Sequence, residues 1–235
     1  KLAVDNSGNV YLATIELRLF NEDLSQYHGR GWIIIKYDSA GIRQWDKSFP
    51  METPEHTTIE ENICDLLIDK EGNVCVIGAL AASYPTLSAA ILKLRPNGTV
   101  LWSDYINLNI RGYDADEFPR TMGLDSDSNL FISGIFHGDG YIDGINSYFR
   151  GVFTCKYDSN GNLQWKRTYH AQVNGDEYHR LFDSYFDRVG NGYHAGYVAY
   201  GSEDVDLGVV KYTSEGEVAW ENGYEGVFFD GAKGI

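Results

Sequence analysis

The amino-acid sequence predicts an all-β fold in which each of four repeats forms one four-stranded antiparallel sheet. Two short patterns recur in the same order four times along the 235 residues, and both are typical of hairpin turns. Aromatic residues and Gly are abundant, and no stretch shows the 3.6-residue period of a helix. Four-stranded units repeated at this scale are the blades of a β-propeller. The predicted fold is therefore a β-propeller, either a closed four-bladed ring or part of a larger ring.

The first pattern joins strands one and two of each repeat. An Asp opens it, an Asn follows four residues later, and Gly usually precedes that Asn. Asp first and Gly in the left-handed position are typical of a type I turn with a bulge. Ser128 replaces Gly in the third copy, so we expect that turn to be strained or supported by Asn129. The copies lie at residues 5–11, 69–75, 125–131 and 187–193.

The second pattern predicts a hairpin between strands three and four. Lys comes first, Gly follows five residues later, and Trp four residues after that. Trp at one place in every repeat favours packing between neighbouring blades over a sugar-stacking platform, because each blade buries its face against the next. The repeated Lys is expected to cap the sheet or to pair with a neighbouring acid. The copies lie at residues 36–45, 93–102, 156–165 and 211–220.

Aligning the copies divides the single domain or propeller segment 1–235 into four units. The period exceeds the ~40–50 residues of common propeller families. An acidic segment leads into each later unit, and residues 230–235 resemble the lead-in to a further one. Pairing of residues 231–235 with residues 1–4 would close a four-bladed ring, and its absence would mean more blades. The predicted repeats are residues 1–63, 64–120, 121–181 and 182–235.

Composition limits the classes of partner. The formal net charge of −15 argues against nucleic acid, which is bound through clustered Lys and Arg. No stretch approaches the ~18–20 apolar residues of a membrane span, so no membrane insertion is predicted. The chain lacks an initiator Met and a signal peptide, which indicates a mature fragment or an excised piece of a longer protein. Three Cys, all within apolar runs, predict packing rather than a disulfide framework.

Motifs for catalysis and metal binding are weak. The Asp-rich turns at residues 125–129 and 158–162 resemble the start of a calcium loop but lack its closing bidentate Glu. Calcium is thus a weak candidate, and no other cofactor or metal is predicted. The six His show no metal-ligand spacing, and neither a nucleophile elbow nor a phosphate-binding loop is present. No residue is assigned as catalytic.

Function is expected on loops that do not repeat. The connections between strands two and three, and between blades, are long and differ in every unit, and they should gather on one face of the disc. Trp32 has no counterpart in the other repeats, which makes it a better binding candidate than the repeated Trp. Aromatics with scattered acids suit a protein or glycan contact surface. The binding candidates are Tyr27, His28, Trp32, Tyr113, Asp114, His137, Asp139, Tyr141, Asp143 and Tyr148.

The combination Asp-x-x-Gly-Asn-(Val/Leu)-(Tyr/Phe)…Lys-Tyr-Asp-x-x-Gly-x-x-x-Trp resembles the SBBP (seven-bladed β-propeller) repeats of bacterial secreted and surface proteins. The resemblance covers essentially the whole chain, and units one and three fit best. Leu94 and Arg95 depart from the pattern in the second unit, and Thr213 does in the fourth. A fainter similarity, through Gly-x-x-x-Trp, is to quinoprotein-like propellers, without convergent cofactor ligands. The first resemblance implies a propeller in a secreted or cell-surface bacterial protein.

Three functions fit these observations. The first is a non-catalytic binding or scaffold module that contacts protein or glycan through the long-loop face. The second is a polysaccharide-active hydrolase or lyase using loop-borne carboxylates such as Asp139 or Asp143, since glycosidases need two carboxylates about 5–9.5 Å apart. The third is a structural part of a larger propeller, whose partner is the rest of the ring.

Overall fold

The computed structural model describes residues 1–19, 27–50, 62–83, 86–110, 113–142, 145–169, 180–199 and 205–224. This part of the chain is built of strands, and it holds no helix long and apolar enough to cross a membrane. Residues Lys1–Asn107 and Leu108–Ile235 form two compact units, called unit 1 and unit 2. Each unit contains two of the four-stranded sheets, and the boundary between the units falls within the predicted repeat 64–120.

Unit 1 consists of two four-stranded antiparallel sheets, blade 1 and blade 2. In each sheet the strands are hydrogen-bonded in sequence order. Blade 1 contains β1 (Leu2–Val4), β2 (Val10–Leu19), β3 (Tyr27–Tyr37) and β4 (Arg43–Pro50). Blade 2 contains β5 (Asn62–Ile68), β6 (Val74–Ser83), β7 (Thr86–Leu94) and β8 (Val100–Ile106).

Unit 2 repeats this architecture in blade 3 and blade 4 and adds a small hairpin. The hairpin pairs β9 (Asn109–Ile110) with β10 (Tyr113–Asp114). Blade 3 contains β11 (Asp116–Leu124), β12 (Leu130–Ile142), β13 (Ile145–Tyr157) and β14 (Leu163–Tyr169). Blade 4 contains β15 (Arg180–Phe186), β16 (Gly192–Ala199), β17 (Val205–Tyr212) and β18 (Val218–Tyr224).

The predicted fold class is confirmed: the described residues are all-β and form four sequentially ordered, four-stranded antiparallel sheets of the propeller-blade type. β11 begins at Asp116, earlier than the predicted repeat boundary at residue 121, because the acidic lead-in continues the first strand across a bulge between Pro119 and Thr121. Residues 231–235, whose pairing with residues 1–4 would indicate a closed ring, lie outside the described residues. That test stays a prediction.

The Asp-initiated turns form as the sequence predicts. Asp5 Oδ1 accepts hydrogen bonds from the backbone N–H groups of Ser7 and Asn9, each at 2.9 Å. Asp69, Asp125 and Asp187 repeat the arrangement. Ser128 has a φ of 61° where the other copies have Gly, and Asn129 supports its turn by donating to Asp125 Oδ2 at 2.8 Å. These carboxylates are therefore turn formers, and the described residues contain no cluster of three or more metal-ligating side chains.

The predicted packing of the repeated Trp between consecutive blades is confirmed for Trp45 and Trp165. Trp45 Nε1 of blade 1 donates to the carbonyl oxygen of Pro96 in a blade 2 turn at 3.0 Å. In unit 2, Trp165 Nε1 of blade 3 donates to the carbonyl oxygen of Ser214 in blade 4 at 3.1 Å. A Cβ added to Gly216 would lie 2.9 Å from the Trp165 ring, and the turn glycine of blade 2 is similarly close to Trp45. Glycine at this position lets the indole approach the next turn.

The repeated Lys has two environments. The Nζ atoms of Lys36, Lys156 and Lys211 lie about 5 Å above the centre of an aromatic ring on strand two of the same blade. Blade 2 has Cys75 at that ring position, and there Lys93 Nζ lies 2.9 Å from Asp69 Oδ2, with both side chains fully buried. The predicted pairing with an acid is thus confirmed in blade 2.

Trp32 is a core residue rather than a surface one. Its side chain is 0% exposed and belongs to the hydrophobic core of unit 1, together with Tyr11, Ile34 and Leu66. The sequence suggested a loop ending near residue 31, but β3 begins at Tyr27, so Trp32 lies well inside the strand. None of the three cysteines forms a disulfide; Cys75 and Cys155 are buried as expected, and burial raises the pKa of the Cys75 thiol to about 12.

Candidate functional site

The longest non-repeating part of blade 3 is strand, not loop. β12 continues to Ile142 and β13 starts at Ile145, and these two residues are paired. The long connection expected between strands two and three of this repeat, at residues 135–150, is therefore mostly paired strand, a hairpin extension of the sheet with residues 135–142 opposite residues 145–152. This extension holds the candidates His137, Asp139, Tyr141 and Tyr148 in a fixed register.

The register determines which positions are neighbours. His137 on β12 is paired with Asp116 on β11 and with Arg150 on β13. Two residues further along β12, Asp139 is paired with Tyr148. Because every second residue of a strand falls on the same face, positions 137, 139 and 141 share one face of the extension. The sheet thus lines up the non-repeating positions in one row.

The β9–β10 hairpin lies beside this row. β10, which contains Tyr113 and Asp114, contacts β12. The connection to β11 is held by Glu117, whose buried Oε1 accepts a hydrogen bond from the backbone N–H of Leu108 at 2.6 Å. Such charge-assisted bonds are about twice as strong as neutral ones. Glu117 therefore anchors the small hairpin at the same end of blade 3.

His137 is at the centre of the described contacts. Its ring stacks on Phe118, with 4.9 Å between centroids and 24° between planes. Its Nδ1 lies 3.7 Å from Asp116 Oδ2, which is too long for a hydrogen bond. The two side chains are 32% and 28% exposed, so solvent or a ligand can reach both. We call Asp116, Phe118, His137 and Arg150 the blade 3 cluster.

The electrostatic balance leaves His137 neutral at neutral pH. Burial lowers the pKa of its imidazole, and the Arg150 charge adds to that effect, while the Asp116 charge opposes it. The net pKa lies below the ordinary 6.5. A neutral imidazole has one N–H donor and one nitrogen acceptor. The cluster can therefore stack against a ligand ring, exchange hydrogen bonds with it, or accept a proton.

The structure gathers most of the predicted binding residues at this end of blade 3. The structure describes side-chain contacts for His137. For the other candidates at this end of blade 3 it gives only their positions on the strands. Tyr27 and His28 lie on β3 in unit 1, and Asp143 lies outside the described residues. The candidates on blade 3 or on the β9–β10 hairpin beside it are Tyr113, Asp114, His137, Asp139, Tyr141 and Tyr148.

Sequence reasoning left out Asp116, Phe118 and Arg150 as site residues. The available signal was the dipeptide Asp143-Gly144 between two Ile residues, which is a strong indication of a two-residue hairpin. That hairpin alone would have paired position 137 with position 150. Treating the segment as an irregular loop concealed both the pairing and the cluster.

Comparison with known proteins identifies the fold and no family. No family model matches the chain, and no curated protein sequence matches it significantly. A protein of unknown function from Dyadobacter fermentans DSM 18053 is similar, with 11% identity over 94% of this chain and 67% of that one, at a TM-score of 0.51. A PL25 ulvan lyase, solved bound to -[GlcA(1-4)Rha3S]-, is also similar, with 11% identity over 94% of this chain and a TM-score of 0.55.

The chain spans 56% of that lyase. A subtype N11 neuraminidase-like protein of A/flat-faced bat/Peru/033/2010 (H18N11) matches with 11% identity over 95% of this chain and 71% of that one. Its TM-score of 0.44 is too low to support an argument. At these identities the likeness concerns the all-β propeller fold alone.

Proposed function

We propose that the chain is a non-catalytic binding module that contacts a glycan through the extended end of blade 3. The observation that carries the proposal is the stacked pair His137–Phe118 with Asp116 beside it, on the part of the sheet that does not repeat. Binding residues are disproportionately found on variable segments held by a rigid scaffold. The repeated Trp contacts supply the scaffold here.

The chemistry of the cluster suits a sugar. A sugar ring presents an apolar face to an aromatic surface and hydroxyls around its rim. The His137–Phe118 stack offers ring surface, and the Asp116 carboxylate and the neutral imidazole of His137 offer acceptors and a donor. The net charge of −15 disfavours polyanionic chains, so a neutral glycan is the preferred ligand.

The sequence motifs support a proposal for the kind of protein that contains this module. The repeat pattern resembles SBBP-type repeats, and we propose that the module belongs to a secreted or cell-surface bacterial protein of that kind. The alternative partner is a protein that contacts the same surface. The titration below tests the glycan directly, and a protein partner predicts that none of the sugars binds.

The experiment is a binding titration with neutral cello-, manno- and xylo-oligosaccharides, followed by calorimetry. The proposal expects binding of at least one of them and an approximately tenfold weaker Kd for His137→Ala, about 1.4 kcal/mol. Tyr185→Ala on blade 4 is the matched control, because it removes an exposed aromatic ring away from the cluster. Failure of all three sugars to bind, or equal losses in the two variants, contradicts the proposal.

A second candidate function is β-elimination on a uronate polysaccharide. Two observations favour it: a neutral, accessible imidazole, and an Arg on the adjacent strand opposite it. In such a reaction a base removes the C5 proton next to the uronate carboxylate, and a cation stabilises the negative charge that develops. A C4–C5 double bond then forms as the C4–O bond to the neighbouring sugar breaks, and the departing oxygen takes up a proton from the protonated base or from water. His137 would act as the base and Arg150 as the cation.

One assay distinguishes the binding module from the lyase. Oligosaccharides of glucuronate and rhamnose 3-sulfate are incubated with the protein, and the ultraviolet absorbance of the unsaturated product is followed. Turnover that is lost in His137→Gln and retained in Tyr185→Ala supports the lyase. Absence of turnover together with binding of a neutral oligosaccharide supports the binding module.

A further inference from the structure

A buried polar cluster joins blade 3 to blade 4. His194 Nδ1 on β16 lies 2.8 Å from Ser184 Oγ on β15 and 3.0 Å from Ser133 Oγ on β12. Its Nε2 lies 3.3 Å from Thr154 Oγ1 on β13. All four side chains are buried. We call these residues the His194 cluster.

The internal repeat shows that this cluster replaces an apolar contact. Equivalent positions in unit 1 are found by counting from the Asp of the first turn and the Lys of the second. There, all four belong to one hydrophobic core. In the order Ser133, Thr154, Ser184 and His194, the unit 1 residues are Ala13, Ile34, Leu66 and Val76.

The neutral imidazole fits this environment. It has one N–H and one lone-pair nitrogen, and each ring nitrogen has a hydroxyl within reach that can accept or donate as required. Ser133 Oγ also donates to the carbonyl oxygen of Phe153 at 3.3 Å. Each polar group of the cluster thus has a partner, which a buried polar network needs in order not to cost stability.

A protonated imidazole does not fit. The groups around His194 are hydroxyls on β12, β13 and β15, the Phe186 ring at 5.9 Å and the Tyr212 ring at 4.9 Å. Burial raises the pKa of Tyr212 well above its usual range, so that ring is neutral as well. None of these described contacts is a carboxylate. A positive charge on His194 would therefore be buried without a counter-ion, which is costly.

We propose that the His194 cluster is an acid-sensitive latch: the neutral imidazole, held within blade 4 by Ser184, joins blade 4 to blade 3 through the hydroxyls of Ser133 and Thr154, and its protonation loosens their contact. Burial alone lowers the pKa of His194 to about 3. A folded-state pKa below the unfolded value of about 6.5 means that unfolding takes up a proton. The stabilisation is complete above pH 6.5 and is lost as the pH falls from about 6.5 towards 3.

The single proton that His194 takes up on unfolding determines how steeply stability depends on pH. Between these two pKa values, the unfolding equilibrium constant should rise about tenfold for each pH unit of acidification. Between pH 6 and pH 4 this amounts to about a hundredfold. Unit 1, whose equivalent positions are apolar, has no corresponding contribution.

The experiment compares urea unfolding of the chain at several pH values between 6 and 4 with that of a variant carrying S133A, T154I, S184L and H194V. This variant has the unit 1 residues at the four positions. Both chains keep His137, whose pKa is also lowered, so its contribution cancels in the comparison. Between pH 6 and pH 4 we expect the unfolding equilibrium constant of the wild-type chain to rise about a hundredfold more than that of the variant. An equal dependence of the two constants on pH would overturn the proposal.

A second measurement needs no variant. The imidazole carbon-bound protons of His194 are followed by NMR from pH 7.5 to pH 4. We expect the chemical shifts of these protons to keep the values of a neutral imidazole over this whole pH range while the protein remains folded. A titration of His194 near pH 6.5 in the folded protein would overturn the proposal.

Discussion

Replacing Lys93 by Met tests the buried ion pair of blade 2. The Lys93 ammonium and the Asp69 carboxylate are 2.9 Å apart and fully buried, so removing the lysine charge leaves the Asp69 charge without its counter-ion. Breaking one side of such a pair costs about 3–5 kcal/mol. A domain of this kind is stable by about 5–15 kcal/mol, so Lys93→Met removes a large fraction of the stability of unit 1.

The repeat supplies a matched control in Lys156. This residue occupies the same position in blade 3, is only partly buried, and lies 5.0 Å above the Phe131 ring with a 3.3 Å bond to the Ser214 carbonyl. Lys156→Met loses a cation–π contact of about 0.5–1 kcal/mol and one weak hydrogen bond. We therefore expect a loss of about 1 kcal/mol, several times smaller than for Lys93→Met.

The assay is urea unfolding followed by tryptophan fluorescence. With a slope near 2 kcal/mol per molar urea, a loss of about 4 kcal/mol lowers the midpoint by about 2 M. Adding Asp69→Asn should recover part of the loss, because no charge remains buried and the amide oxygen still accepts the turn N–H groups of Glu71 and Asn73, although the bond from Asn73 Nδ2 to Asp69 Oδ2 is lost. Equal losses in the two Lys variants, or no recovery in the double variant, would refute the reasoning.

Three further outcomes are expected. Trp165→Ala should cost about 3–5 kcal/mol by the same assay, since the indole packs on Gly216, while Trp220→Ala, at a ring that is 41% exposed, should cost clearly less; equal losses would contradict the contact. Ser128→Gly relieves a left-handed backbone at φ 61° but also removes a buried side chain, so the net change should stay within about 1 kcal/mol. Gly41→Ser, at φ +79° with open space around it, should cost about 1 kcal/mol in thermal unfolding, and an unchanged stability would contradict the backbone strain.

The four-stranded blades could be predicted because the motifs of their two hairpin turns occur four times in the sequence. Turn residues such as Asp5 and Asp125 specify hairpins locally, and the Lys and Trp positions mark the second hairpin. Packing between blades followed from the need of each blade to bury a face. These features depend on short spacings along the chain, which a sequence displays directly.

The irregular part could not be predicted in the same way. Trp32 was chosen as a binding candidate because it is not repeated, whereas its burial depends on the pairing of β3 with β2, which the residues near Trp32 do not reveal. The blade 3 cluster needs the β12–β13 register, which combines residues separated along the chain. The His194 cluster combines four strands from two blades, and only the contact between those blades makes its hydroxyls partners of one imidazole.

The most direct test of the account is a map of backbone amide shifts in NMR spectra during titration with the neutral oligosaccharides named above. The account predicts that shifts concentrate at residues 113–118 and 137–150, the extended end of blade 3, and leave the turns around Trp45 and Trp165 unchanged. Shifts centred on those repeated turns, or no shifts at saturating sugar, would contradict the claim that the non-repeating end of blade 3 is the binding surface.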